Sequence, residues 1–175
     1  MFLDSFDADK KFPDYIKEDF KREHLGKPFF LIPCPFKGCG CESYAHHFGE
    51  ELTSTFDDFG IKTEIIWSHN LYKQKSMITQ IKIALENIEE IKSILRKYIV
   101  PTLDEAKKEA FLEMQKDWMP VMSICENCNK IQYKENDGSI TPNRIISYDP
   151  KLEEVYYKCP ACGFSNKIQV SSGML

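Results

Sequence analysis

Two C-x-x-C pairs, Cys125-Glu126-Asn127-Cys128 and Cys159-Pro160-Ala161-Cys162, stand 30 residues apart in the second half of a 175-residue chain. Each pair can curl so that both sulfurs face one centre, and four thiolates complete a tetrahedron around Zn2+ with no open position. A closed centre of this kind is structural, so the ion is expected to hold architecture and to take no part in chemistry. A redox dithiol is the competing reading, but that motif opens a helix after a strand and one copy suffices. Two matched copies favour metal, which makes Cys125, Cys128, Cys159 and Cys162 the predicted zinc ligands.

A second concentration of ligand types, Cys34, Cys39, Cys41, His46 and His47, lies in and just after a Pro/Gly-rich loop. Its spacing is irregular and supports two readings. One is a second Cys/His metal site, which as an open site would make a metalloenzyme with only Glu42 as a nearby base. The other is a structural loop with free thiols, in which adjacent His46 and His47 point about 100° apart on a helix. His24 and His69 are isolated and read as ordinary. The chain has no G-x-x-x-x-G-K-[ST], G-x-G-x-x-G or nucleophile elbow, so these residues predict neither a catalytic nor a nucleotide-cofactor site.

The elements that must position these residues follow from periodicity and punctuation. Phe2-Leu3-Asp4-Ser5-Phe6-Asp7 reads as a strand entering an acidic loop, and a short helix is expected over about 14–23, ending before Gly26. Tyr44, Phe48, Leu52, Phe56 and Phe59 form one helical stripe with Ser43 as N-cap and Gly60 as the stop. Ile61 to Trp67 is rich in β-branched and aromatic side chains and predicts a strand. A long helix from Ser76 to Ile99 buries Met77, Ile81, Ala84, Leu85, Ile88, Ile91, Leu95 and Tyr98, and Pro101 ends it. A capping box, Thr102-x-x-Glu105, opens its partner, which turns Leu103, Ala106, Ala110 and Met114 inward to make a helical hairpin. Between the knuckles lie three β-prone segments, 131–133, 144–148 and 155–157, with turns at Asn136-Asp137-Gly138 and Asp149-Pro150.

The expected fold class is therefore α/β, with a helical hairpin and a C-terminal β zinc ribbon, divided as 1–75, 76–117 and 118–175. Net charge is -4 and the six basic residues of the ribbon, Lys130, Lys134, Arg144, Lys151, Lys158 and Lys167, are offset by Glu126, Glu135, Asp137, Asp149, Glu153 and Glu154. The molecule as a whole is no electrostatic glove for nucleic acid. An opening without a basic and then apolar signal, and no run of about 18 apolar residues, predict a cytoplasmic protein without membrane contact. Seven cysteines, an odd number with metal spacing, argue against a disulfide framework.

Read in order, the segments resemble class I lysyl-tRNA synthetase. Leu3-Asp4-Ser5-Phe6-Asp7 with Lys10-Lys11-Phe12-Pro13 is similar to its W-D-D-Y-D-x-x-R-K-V-P, and Pro33-Cys34-Pro35-Phe36 through Cys41-Glu42-Ser43-Tyr44-Ala45-His46-His47-Phe48 to its P-D-P-x-G-C-H-E-S-Y-A-E-H-F. Ile65 to Lys73 resembles the strand ending in S-E-L-Y-K, Trp118-Met119-Pro120-Val121-Met122 the W-x-P-x-M segment before the first knuckle, and Ser171-Ser172-Gly173 the strand leaving the ribbon. The chain departs from the pattern at Ser5, at Cys34, at His69-Asn70 and by two extra residues in the Cys-rich loop.

The resemblance implies a partial Rossmann-like catalytic region carrying an inserted hairpin and ribbon, without the H-x-G-x and K-M-S-K-S motifs that act on ATP in that family. It implies a fragment or split subunit of an enzyme that joins lysine to tRNA-Lys with ATP as substrate. Such a piece is inactive alone and depends on companion chains for the missing motifs. Asp4 and Asp7 are then at most loop residues near a substrate edge. The alternative is a free-standing zinc-ribbon module that binds tRNA or a protein partner without catalysis.

Overall fold

The computed structural model describes residues 1–175. It is a mixed α/β fold with three small sheets. Strand β1 (Phe2–Leu3) pairs in parallel with β2 (Ile66–Trp67), and the chain between them holds α1 (Glu18–His24) and α2 (Tyr44–Thr53). A one-turn α3 (Ser68–Leu71) leads into α4 (Lys75–Glu86), α5 (Ile88–Ile99) and α6 (Glu105–Lys116). Then come β3 (Gln132–Lys134) antiparallel to β4 (Ile140–Pro142), and a meander of β5 (Arg144–Asp149), β6 (Glu154–Lys158) and β7 (Ser165–Gln169). No helix is long and apolar enough to cross a membrane.

The apolar clusters tie these segments together. Ile81 and Leu85 of α4 pack into the same core as Cys125, Ile145, Val155, Tyr157, Cys159 and Ile168. Phe6 and Ala8 meet Ile124 and Ile131, so the loop after β1 lies on the first knuckle. Phe12, Ile16, Ile32 and Tyr44 form a third cluster beneath the Cys-rich loop.

Several expectations change. The helix from 76 to 99 is two helices broken at Asn87, which leaves helical geometry at φ -112°, ψ 30° while its amide donates to the Ile83 carbonyl at 2.7 Å. That side chain satisfies a carbonyl at the end of α4, and the apolar period, which runs through Asn87, carries no sign of the break. The buried face predicted for α5 is thin: Tyr98 is 65% exposed, and the buried residue is Lys92, whose ammonium reaches Glu89 and the Lys116 carbonyl. On α6 the inward residue is Gln115, bonded to Arg96, while Ala106, Ala110 and Met114 face outward.

The capping box does not form. Thr102 sits in a 3-10 turn and its hydroxyl donates to the Ile99 carbonyl, whereas Asp104 caps α6 by accepting from the Lys107 N–H at 3.0 Å. Asp104→Ala is therefore expected to cost about 1 kcal/mol, and Thr102→Ala much less, by urea denaturation. Ser43 does cap α2, accepting from the His46 N–H, and Gly60 is left-handed at φ +66° as its stop position required. The helix itself ends at Thr53, however, and Phe59 at the end of the predicted stripe is 77% exposed. The strands expected over 2–7 and 61–67 shrink to two residues each, because each finds only the other to pair with.

Candidate metal centre

The first knuckle turns on two backbone bonds: the Asn129 N–H donates to the Cys125 carbonyl at 2.8 Å, and the Cys125 N–H to the Lys130 carbonyl at 2.9 Å. The second repeats them, with Gly163 N–H on the Cys159 carbonyl at 3.0 Å and Cys159 N–H on the Phe164 carbonyl at 2.8 Å. The residue after the second cysteine is left-handed in both, Asn129 at φ +60° and Gly163 at φ +74°. Glycine adopts that conformation freely and asparagine tolerates it better than most residues, which is why these two types close the turns.

The four predicted ligands come together: the sulfurs of Cys125, Cys128, Cys159 and Cys162 lie within 4.8 Å of one another and could hold a metal ion. Cys125 and Cys159 are fully buried. Burial pushes the Cys128 thiol up to about 11 and Cys159 further still. At Cys162 burial also opposes ionisation, but the Phe164 N–H, Asn127 and the neighbouring thiols outweigh it and draw the thiol down to about 7. Four thiols this close cannot all ionise against one another, and a dication at their centre lets them do so, which is the fit expected of a metal site.

Behind the four cysteines stand two residues the motif did not single out. Tyr157, fully buried, accepts the Glu126 N–H on its hydroxyl at 3.0 Å. Asn143 donates from its amide to the Ser123 and Lys130 carbonyls at 2.7 and 2.6 Å, clamping both ends of the first knuckle. Their only trace in the sequence is position, each at the edge of a β segment.

The Cys-rich loop also closes up. Gly38 and Gly40 are left-handed on either side of Cys39, and Cys34, Cys39 and His47 present ligand atoms within 4.8 Å of one another. Cys41 Sγ is 3.7 Å from His47 Nδ1, so it borders the group. The Cys39 thiol is drawn down to about 6, chiefly by its hydrogen bond with Cys34 at 2.9 Å, while Cys39 pushes Cys41 up to about 12 and burial raises Cys34. His46 is not part of it: it bonds Ser43 Oγ and lies 4.5 Å from the Trp67 ring, as the helical angle between the two histidines requires.

A polar cluster that the sequence did not announce occupies the carboxyl ends of β1 and β2, where ligands sit in open parallel sheets. Ser68 donates to Asp4 at 3.0 Å and accepts the N–H groups of Ser5 and Phe6, and Ser5 Oγ lies 2.6 Å from His69 Nδ1. His69 stacks on Phe30 at 4.7 Å, and burial holds its pKa below the ordinary histidine value. Asp7 is exposed, with its carbonyl accepting from Phe29. His69, read as ordinary, is thus the buried centre of the strand-end cluster; the clue was its place two residues after a strand.

A parallel strand pair with a polar cluster at its carboxyl ends, joined to a cysteine-clustered β region, places the chain among α/β proteins with an appended metal-type module. The family described as tRNA synthetases class I (K) matches residues 1–175, and the chain belongs to it. It is 34% identical over 173 residues to the lysine–tRNA ligase of Methanocaldococcus jannaschii, covering 99% of this chain and 28% of that protein. It is 30% identical over 172 residues to that of Methanosphaera stadtmanae, covering 98% and 28%. With the enzyme of Thermococcus kodakarensis it shares 37% over 127 residues, 73% of this chain and 22% of the relative. The chain therefore spans between a fifth and a third of the length of these relatives.

Proposed function

We propose that this chain forms part of a class I lysine–tRNA ligase, in which the complete enzyme activates lysine with ATP and transfers it to the 3′ end of tRNA-Lys in the cytoplasm. The observation that carries this reading is the family match along the whole of residues 1–175. In this division, 1–75 is part of a Rossmann-like catalytic region, 76–117 the inserted hairpin and 118–175 a ribbon closed by zinc on Cys125, Cys128, Cys159 and Cys162. The zinc supplies folding energy and no chemistry, since a four-cysteine site is coordinatively full. Cys34, Cys39 and His47 are read as a second metal-type site, bordered by Cys41.

The exposed surface of the first segment agrees with this reading. Parallel strands belong to sheets covered on both faces, yet Phe2 is 66% exposed, and Leu52 and Phe59, on the α2 side, are 50% and 77% exposed. In the proposed enzyme that half-sheet is completed by the polypeptide that carries the nucleotide-binding motifs, and adenylate formation relies on the electrostatics of those motifs. Asp4, Ser5, Ser68 and His69 shape the edge of the site and none is assigned a catalytic step.

The test is reconstitution. The chain is co-expressed with polypeptides bearing the two nucleotide motifs, and lysine-dependent pyrophosphate exchange and tRNA-Lys charging are measured. Both activities are expected only when all parts are present. Stable association without either activity would replace this reading with that of a zinc-ribbon binding module.

A further inference from the structure

The balanced charge of the β region hides a polarity along one hairpin. In the β5–β6 register Asp149 stands opposite Glu154 at one end, and Arg144 opposite Lys158 at the other. Like charges directly opposite each other destabilise an antiparallel pair, so each end needs something to answer it. The acidic end has it: Asp149 caps the N–H groups of Lys151 and Leu152, Glu154 accepts from Gln169, and neighbouring Glu153 pairs with Lys82. The basic end does not. Arg144 has only Asp117 at 3.7 Å, and Lys158 pairs with no carboxylate.

That basic end opens into a cavity of about 500 Å³ between the C-terminus of α6 and the hairpin. Arg144 and Lys158 line it together with the half-buried Trp118 and the apolar Ile146, Lys116 at its rim is already paired with Glu113, and Asp117 is the lone acid of the lining. Lys92, also in its wall, is already engaged by Glu89 and the Lys116 carbonyl and serves to hold α6 in place. Cations beside an accessible indole recognise one chemistry well, a phosphate attached to a flat aromatic base. We propose that this cavity binds a nucleotide unit, with its base against Trp118 and its phosphate between Arg144 and Lys158.

The unit comes either from the single-stranded end of an RNA or from a free nucleotide. Only the RNA source rests on the synthetase reading, and the experiment requires no aminoacylation. The zinc-loaded chain is titrated into a fluorescently labelled single-stranded RNA hexamer, followed by anisotropy at several salt concentrations, with AMP and inorganic phosphate as competitors. Trp118→Ala is expected to weaken binding about ten-fold. Arg144→Glu or Lys158→Glu is expected to weaken it similarly and to flatten the dependence of log K on log salt by about 0.7 for each phosphate left without its cation.

Lys151→Glu, an equal charge change at the acidic end of the hairpin, should leave binding unaltered. Zinc content and circular dichroism check that each variant is folded. Displacement by AMP at a concentration close to its own affinity assigns a free nucleotide; displacement only by further RNA assigns the strand end. The proposal is overturned by no binding up to millimolar ligand, by phosphate competing as well as AMP, or by Trp118→Ala and Arg144→Glu binding like the parent. Reconstituted lysylation alongside any of these results would leave the synthetase reading intact and remove the cavity from it.

Discussion

Replacement of Cys125 and Cys159 by serine together is expected to release one zinc ion per chain and to unfold the β5–β7 meander at ambient temperature. Both cysteines are fully buried and belong to the same cluster as Ile145, Val155, Tyr157 and Ile168, so the four-cysteine cluster and the apolar core are one structure. Zinc in modules of this kind contributes about 10–16 kcal/mol of apparent binding energy near neutral pH, and that energy is folding energy. A five-residue β6 between two short strands cannot supply a comparable amount from its own side chains. Ile81 and Leu85 pack on the same core, so α4 should lose protection with the meander. The cluster of Phe12, Ile16, Ile32 and Tyr44 shares no residue with it and should persist. Amide exchange read segment by segment, with metal content measured in parallel, checks each point. An unchanged exchange pattern in the double variant would show that these cysteines hold no folding metal.

The features that were readable before the structure are those governed by local rules. The paired C-x-x-C spacing located four cysteines whose sulfurs converge within 4.8 Å, because a two-residue gap sets knuckle geometry regardless of what lies between the pairs. Ser43 and Gly60 were legible for the same reason: a cap and a left-handed stop depend on residues one to three positions away. Misreadings arose where a distant partner decides. Asn87 breaks a helix whose apolar period continues past it, since α4 packs on the β core while α5 does not. Gln115 rather than Met114 turns inward because Arg96 of α5 meets it, a polar contact that no apolar stripe announces. Charge was misleading in a different way. Summed along the sequence it cancels, and only the β5–β6 register shows acids gathered at one end and bases at the other. Ser5 and His69, 64 positions apart, meet because two short parallel strands bring their ends together.

The join between the first segment and the β region includes a close backbone approach at one glycine, and Gly26→Ala is expected to be strongly destabilising. Its carbonyl accepts from the Ile131 N–H at 2.8 Å and its own N–H donates to the Asp9 carbonyl at 3.0 Å, so the chain after α1 is laid directly on the strand leaving the first knuckle. Gly26 sits at φ +87°, and a Cβ there would stand 2.2 Å from the Gln132 carbonyl oxygen. The obstructing atom is backbone held in register with Pro142, so it cannot swing aside as a side-chain tip would. Left-handed geometry costs an alanine about 1–2 kcal/mol, and forcing the two chains apart adds about 1–3 kcal/mol. Gly138 provides the control: it has the same φ, +87°, and open space where its Cβ would go. Gly138→Ala should therefore show the conformational cost alone, and Gly26→Ala should shift the urea midpoint two- to three-fold further. Equal shifts would mean that the strand after the knuckle yields freely and that the two regions are joined less tightly than the packing of Phe6 and Ala8 on Ile124 and Ile131 requires.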